Sequence, residues 1–411
     1  MTRRRDLILA SLLALLAAAF RLPRLGFPPQ EIFDEVYHAK TALEYLSGQS
    51  PTEWVHPPTA KLLIAVGVYL FGYESWAWRL LPALAGVALT PVFYLFARRV
   101  LATERAAVLA TALLLCDGVY LVQSRTAMTN IFAVLFQVGA ALFVMRSVLQ
   151  DRLPAGSMLA AGVFLGLALS TRWTSLWAAG FLGLVVLVVR ARRLLRAREI
   201  ALVLAAFAVL PVVIYVLSYV PWMRQGHSLL EVAELQRSIW QYHAGLRAQH
   251  PYFSNWYTWP WLYRPTWYYY QQDGSTVRGI VAIGNPALWW VSVPATLWVL
   301  LSGIRRRDPR RLFAAFGFLC LYLPWGISPR TLNYSHYLFE AIPYACLGLA
   351  ALMDEAWDGR FGWVPRAYLA VVVALFLFFV PILTALPLPT KAFFRRLPGD
   401  LRPWTWLPSW V

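Results

Sequence analysis

Lysine, carboxylates and cysteine are all scarce in this 411-residue chain, and each shortage removes a class of chemistry. Lys40, Lys61 and Lys391 are its lysines, so no phosphate-binding loop ending in Gly-Lys-Ser/Thr can be drawn, and HExxH and GxSxG are missing too. ATP-driven transport and serine hydrolysis lose their usual markers. Cys116, Cys320 and Cys346 sit in apolar stretches and form no CxxC pair, which leaves no cysteine signal for zinc or thiol redox chemistry. Charged residues make up 14% of the chain and hydrophobic ones 59%, against about 25% and 45–50% in a soluble domain. That composition excludes the two or three soluble domains such a length would otherwise suggest. The chain reads as an all-α integral membrane protein.

What charge there is has one sign. With 37 Lys+Arg against 20 Asp+Glu the net charge is +17. In a soluble protein this would suggest a polyanion such as nucleic acid; here cytoplasmic loops enriched in Arg account for it, and no nucleic-acid partner is expected. A spanning helix needs about 20 mostly apolar residues. Eleven candidate spans follow, over 7–20, 79–97, 106–122, 126–145, 157–169, 173–189, 200–219, 286–304, 312–325, 337–353 and 367–386. If Arg3, Arg4 and Arg5 are cytoplasmic, so are the segments 98–105, 146–152, 190–198, 305–311 and 354–366, and together these hold about 20 of the 37 basic residues. The C-terminal tail and all six histidines then fall outside, in a multi-pass protein of the cell membrane. A cleaved signal peptide ending near Ala17-Ala18-Ala19 is the weaker alternative for the N-terminus, since cleavage would break that parity.

Two external segments are too long to be plain connectors. The first, 21–78, contains an apolar piece, 61–71, too short to span and better read as an interfacial helix. The second, 220–285, is crowded with Trp, Tyr and His. Most of those rings read as an interface belt and loop core, with some available to stack on sugar or peptide. The organisation is therefore a transmembrane region 1–219 with the acidic loop 21–78, an aromatic external loop 220–285, and a four-helix-type region with an external tail, 286–411.

The candidate chemistry lies outside the membrane. Asp34 and Glu35 are adjacent carboxylates that cannot both ionise freely near a low-dielectric surface, so one could be held ready for proton abstraction; the plain alternative is a pair of solvated acids. His56-Pro57-Pro58 with Lys61 forms a rigid turn presenting a His and a Lys. Asp117 reads as an ion-pair or helix-end partner placing Arg125 or Arg172, rather than as a catalytic acid. Arg125, in Gln123-Ser124-Arg125, could clamp a phosphate through parallel hydrogen bonds or simply snorkel to the interface. Arg172 and Arg330 sit at the same depth, so with Lys61 four external turns each offer a cation to a lipid phosphate or to lipid headgroups generally.

These strings resemble one family. Phe33-Asp34-Glu35-Val36-Tyr37, His56-Pro57-Pro58 with Lys61, Gln123-Ser124-Arg125 and Gly166-Leu167-Ala168-Leu169-Ser170-Thr171-Arg172-Trp173 resemble the N-terminal half of the protein O-mannosyltransferases. Tyr242-His243-Ala244-Gly245-Leu246, His250-Pro251-Tyr252, Trp259-Pro260-Trp261, Arg264-Pro265, Tyr268-Tyr269-Tyr270 and Gly284-Asn285-Pro286 resemble its C-terminal membrane region. The resemblance implies a GT-C fold and an inverting transfer of mannose, or a related hexose, from a polyprenyl-phosphate carrier to Ser or Thr of a translocated, translocon-delivered polypeptide. It implies Asp34 as general base with Glu35 beside it, Arg125 near the carrier phosphate, and Lys61 and Arg172 as further basic positions of the site; His56, Gln123, Asp117 and Arg330 join them as candidate substrate-binding residues. One departure is Asn130, where the family often has Asp. The β-trefoil module of eukaryotic members has no counterpart, as in a compact bacterial form.

Such a transfer demands no metal, although a divalent cation (Mg or Mn) held by Asp34 and Glu35 stays open. Two other functions compete. Transfer to a lipid or cell-wall glycan, as in the aminoarabinose transferases, would share the acidic loop without the 242–270 pattern. A polyprenyl-lipid transporter would want ionisable residues deep in the bilayer and matching broken helices, whereas the acids here crowd the external side.

Overall fold

In the computed structural model, which describes residues 2–191 and 196–410, helices carry most of the chain. The first half runs α1 (Thr2–Arg21), α2 (Glu35–Leu46), α3 (Thr59–Phe71), α4 (Ser75–Val100), α5 (Glu104–Leu115), α6 (Gly118–Arg125), α7 (Asn130–Val148), α8 (Ala155–Leu169) and α9 (Ser175–Arg190). Residues 192–195 of the Arg-rich connector 190–198 lie outside the described residues. An apolar stretch follows, α10 (Ala197–Leu204) and α11 (Leu210–Ser218), joined through a π turn. Then come α12 (Val220–Met223), α13 (Leu229–Gly245), strands β1 (Thr266–Asp273) and β2 (Thr276–Ala282), α14 (Pro286–Arg306), α15 (Pro309–Tyr322), α16 (Ile342–Ala356) and α17 (Trp363–Leu383). Strand β3 (Leu388–Pro389) and α18 (Thr390–Phe393) open the tail.

Polar caps start many of these helices, since a helix end facing lipid or protein leaves N–H groups that water cannot reach. Thr103, Asp117, Ser228, Asn285 and Asp308 each accept a backbone N–H in the first turn of the helix they precede. Small residues let helices approach closely at the crossings. A Cβ on Gly86 of α4 would lie 2.3 Å from Ser124 of α6, and one on Gly139 of α7 would lie 2.6 Å from the Phe164 ring of α8.

Two expectations change. Among the described residues five helices are long and apolar enough to cross a bilayer, Ser75–Val100, Asn130–Val148, Ala197–Ser218, Pro286–Arg306 and Trp363–Leu383, or six if α5 and α6 count as one span. The span expected over 106–122 bends by 62° between those two helices, because the Asp117 carboxylate accepts from Tyr120 N at 2.8 Å and starts a new helix there. The spans expected over 157–169, 173–189, 312–325 and 337–353 form helices of 15, 16, 14 and 15 residues, each shorter than the about 20 residues a crossing needs. The fold is all-α and mostly membrane-embedded, with one exception shared by the segment 220–285 and the C-terminal tail. There β1, β2 and β3 form an antiparallel sheet, turned through Gly274 at φ 52°, and Trp267 Nε1 donates to Trp410 O at 2.6 Å. Tyr268-Tyr269-Tyr270 followed by Asp273-Gly274 is the β-forming run and hairpin turn that produces it.

Candidate active site

A cavity of about 600 Å³ opens between α2, the connector 47–58, the start of α7, the α8–α9 turn and the segment before α16. Asp34, Arg172 and Arg330 line it, and so do five of the six histidines, His38, His56, His243, His250 and His336.

Asp34 stands at the N-terminus of α2, where its main-chain oxygen accepts from Tyr37 N and His38 N, both at 3.0 Å. The residue before it, Phe33, has φ 50°, a left-handed conformation rare for a bulky side chain. Its surroundings enforce that turn. The Phe33 ring stacks on Tyr268 at 4.2 Å and meets His250, Tyr334 and His336 edge-on. Gln123, buried beneath, donates Nε2 to the Tyr268 hydroxyl at 2.7 Å and so supports the stack. Among the described residues no donor reaches the Asp34 carboxylate, which faces the cavity. Burial pushes the Asp34 carboxyl above its usual range, Glu53 adds to that, and His38, Arg330 and Arg172 pull the other way.

Glu35 faces the opposite way. Its carboxylate accepts from Arg79 Nε at 2.8 Å and Nη2 at 2.7 Å, from Ala127 N at 2.8 Å and from Ile32 N at 3.1 Å. Fully buried and fully partnered, Glu35 does not line the cavity, so the expectation of a shared proton or a shared metal between Asp34 and Glu35 is corrected. Arg125 does not line the cavity either. It lies behind the cavity wall and donates to the carbonyls of Phe20, Arg21 and Pro23 at 3.1, 2.8 and 2.8 Å, closing the C-terminus of α1. Asp117 pairs with neither Arg125 nor Arg172; besides Tyr120 N it accepts from the Trp289 indole. Lys61 is buried, with Nζ on the Glu53 carboxylate, Glu53 O at 2.6 Å and His56 O at 2.8 Å.

The cations that do face the cavity are Arg172 and Arg330. Arg172 Nη1 donates to Thr129 Oγ1 at 3.1 Å and Asn130 Oδ1 at 3.0 Å, and its Nε lies 3.6 Å from Glu340 Oε1. Arg330 donates Nε to Leu332 O at 2.8 Å and Nη1 to His243 Nδ1 at 2.9 Å. Both guanidinium groups lie over the Tyr337 ring, and each leaves Nη2 without a protein partner. Because His243 Nδ1 accepts, its Nε2 carries the proton given to Val55 O at 2.9 Å. Burial and then Arg330 bring His243 down to about 4, and burial brings His56 down to about 3 against the pull of Glu53. Both imidazoles are therefore neutral at pH 7. A partner-free carboxylate, two half-free guanidinium groups and neutral imidazoles suit a reaction that removes one proton and holds one anionic leaving group.

Three family comparisons cover nearly the whole chain. Residues 228–410 match the C-terminal four-transmembrane region of protein O-mannosyltransferase, while 55–219 and 11–75 match dolichyl-phosphate-mannose-protein mannosyltransferase. The chain belongs to the protein O-mannosyltransferase family. As a member it is a GT-C-type glycosyltransferase. The polyprenol-phosphate-mannose--protein mannosyltransferase of Mycolicibacterium smegmatis is 28% identical, over 98% of this chain and 92% of that protein. The fold is shared with the S. cerevisiae Pmt1-Pmt2 complex bound to the sugar donor, at TM-score 0.86 and 14% identity over 100% of this chain and 93% of that one. It is shared more loosely with ArnT from Cupriavidus metallidurans bound to undecaprenyl phosphate, at TM-score 0.59 and 19% identity over 91% and 70% of the two chains.

Within this mannosyltransferase fold, several cavity residues escape motif reading. Glu53, His38 and Tyr337 carry no motif of their own, while His243 and Asn130 lie in or beside the family strings without an assigned role. His38 and His243 carry one sequence signal, the expectation that all six histidines share one side of the membrane. Asn130, standing where the family often has Asp, accepts from Arg172 through Oδ1 and keeps its buried Nδ2 unpartnered. The carboxylate nearest Arg172 is instead Glu340.

Proposed function

We propose that this chain transfers mannose from a polyprenyl-phosphate carrier to Ser or Thr hydroxyls of proteins, with Asp34 as the general base. The acceptor hydroxyl gives its proton to Asp34 as its oxygen bonds to the anomeric carbon. The bond from that carbon to the carrier phosphate breaks on the opposite face, which inverts the centre. Arg172 and Arg330 hold the phosphate through their free Nη2 groups and stabilise the charge that develops on it. The observation that carries this reading is the Asp34 carboxylate, free of protein donors and facing both cations across one cavity. No step requires a divalent cation.

Eleven crossings, with α1 starting in the cytoplasm and the cavity outside, fit the Arg-rich connectors. Shorter helices such as α8 and α9 would cross with polar ends at the interface. An acceptor delivered unfolded from a translocon suits a recess too narrow for a folded domain. Ser275, exposed in the β1–β2 turn, tests the orientation. Ser275→Cys in a background without native cysteines should react with a membrane-impermeant thiol reagent in intact cells, and protection until lysis would reverse the topology. The activity itself is tested by incubating the purified protein with polyprenyl-phosphate mannose and a Ser/Thr peptide. A mannosylated peptide is the expected mass-spectrometric product; consumption of donor onto lipid or glycan alone would remove the protein acceptor from the reading.

A further inference from the structure

We propose that His38, Glu53 and His56 form a binding site for a divalent transition-metal ion of the zinc class on the cavity wall. One donor atom from each residue lies within 4.8 Å of the other two. A tetrahedral zinc ion with bonds of about 2.0–2.2 Å sets its ligand atoms roughly 3.4 Å apart, so a contraction of at most about 1.4 Å completes the site. His38 comes from α2, and Glu53 and His56 from the connector before α3, which has no regular secondary structure of its own. An ion there would tie that connector to α2 beside Asp34. All three residues face the cavity, so the fourth coordination position opens toward water or a substrate oxygen.

The outer shell for such an ion is already built. Metal-binding imidazoles usually give their other ring N–H to a carbonyl or carboxylate. His38 Nδ1 lies 2.8 Å from Ala127 O, an oxygen that can only accept, so Nδ1 carries the proton and Nε2 keeps a free lone pair. Lys61 holds the Glu53 carboxylate through Oε2, while Oε1 accepts from His56 N at 3.1 Å and from His56 Nδ1 at 2.6 Å, so Nε2 is the His56 nitrogen with a free lone pair. Two imidazoles and one carboxylate oxygen favour zinc or cobalt over magnesium or calcium, which want more oxygen ligands. The Lys61 ammonium opposes any cation, which further disfavours ions held by charge alone.

The site stands on this cluster and not on mannosyl transfer, so its test uses no sugar donor. The full chain in detergent is stripped with chelator, exposed to Zn²⁺ or Co²⁺, and passed through gel filtration. About one zinc per chain should be retained, the visible absorption of tetrahedral cobalt should appear, and zinc should raise the melting temperature by several degrees. His38→Asn keeps a donor for Ala127 O while removing the ligand; metal-free it should melt like wild type, yet bind zinc at least about 10²-fold more weakly. Substoichiometric zinc in wild type, or equal binding in folded His38→Asn, would overturn the site and leave a hydrogen-bonded Glu53–His56–Lys61 cluster.

Discussion

The two faces of the cavity wall contrast sharply in how their charges are satisfied. Behind the wall, Glu35, Arg79 and Arg125 use nearly every donor and acceptor they have: Arg79 alone reaches Glu35 and the carbonyls of Leu25, Pro28 and Gln30. On the cavity face Asp34 has no donor, and Arg172 and Arg330 each keep Nη2 free. The buttress joins the segment 20–32, the turn at Ala127 and α4 into one unit, and that unit holds Asp34 in place. Saturated charges hold shape, and unsaturated ones are left for substrate. Sequence proximity gives no hint of this division, since Asp34 and Glu35 are neighbours with opposite roles.

Substitutions on the two faces should therefore fail differently. The largest effect falls on the buttress: Glu35→Gln removes one partner of a buried ion pair and should destabilise the fold by about 3–5 kcal/mol, seen as a lowered melting temperature or poor recovery from detergent. Arg125→Ala strands carbonyls at the end of α1 and should cost about 1–3 kcal/mol of stability, with the donor KM of the folded fraction unchanged. A raised KM at unchanged stability would return Arg125 to the carrier phosphate. On the cavity face, Arg172→Lys and Arg330→Lys keep the charge but lose the fork, so each should raise the donor KM by about tenfold while the melting temperature holds.

Much of the fold was legible because apolar runs and Arg-rich connectors are local signals. The apolar piece at 61–71, too short to span, is the helix Thr59–Phe71, and loop 21–78 does carry the acid that faces the cavity. Asp117 does serve a helix end, as one of its two expected roles, but the 62° break there was hidden because a capping carboxylate looks the same in sequence as an ion-pair partner. The sheet was hidden because its third strand is only Leu388–Pro389, far along the chain. The site was half legible. Asp34, His56, Arg172 and Arg330 do line the cavity, whereas Glu35, Lys61, Gln123, Asp117 and Arg125 act behind it. Motifs mark residues that matter without separating those that meet substrate from those that hold others still. Only partner geometry draws that line, as the strained Phe33 and its Tyr268 stack show.

The most direct measurement is turnover and melting temperature of Asp34→Asn at neutral pH, beside the pH dependence of the wild type. Burial disfavours the ionised Asp34, so the stability associated with this group is present at low pH and is lost as pH rises through its raised folded-state pKa. Asn removes that loss, and the variant should melt no lower than wild type while turnover falls by at least about 10²-fold. Wild-type turnover should in turn fall on acidification at a pH above the ordinary aspartate value of about 3.9, where the base becomes protonated. A folded Asp34→Asn enzyme with wild-type turnover would contradict the division between the two faces at its centre.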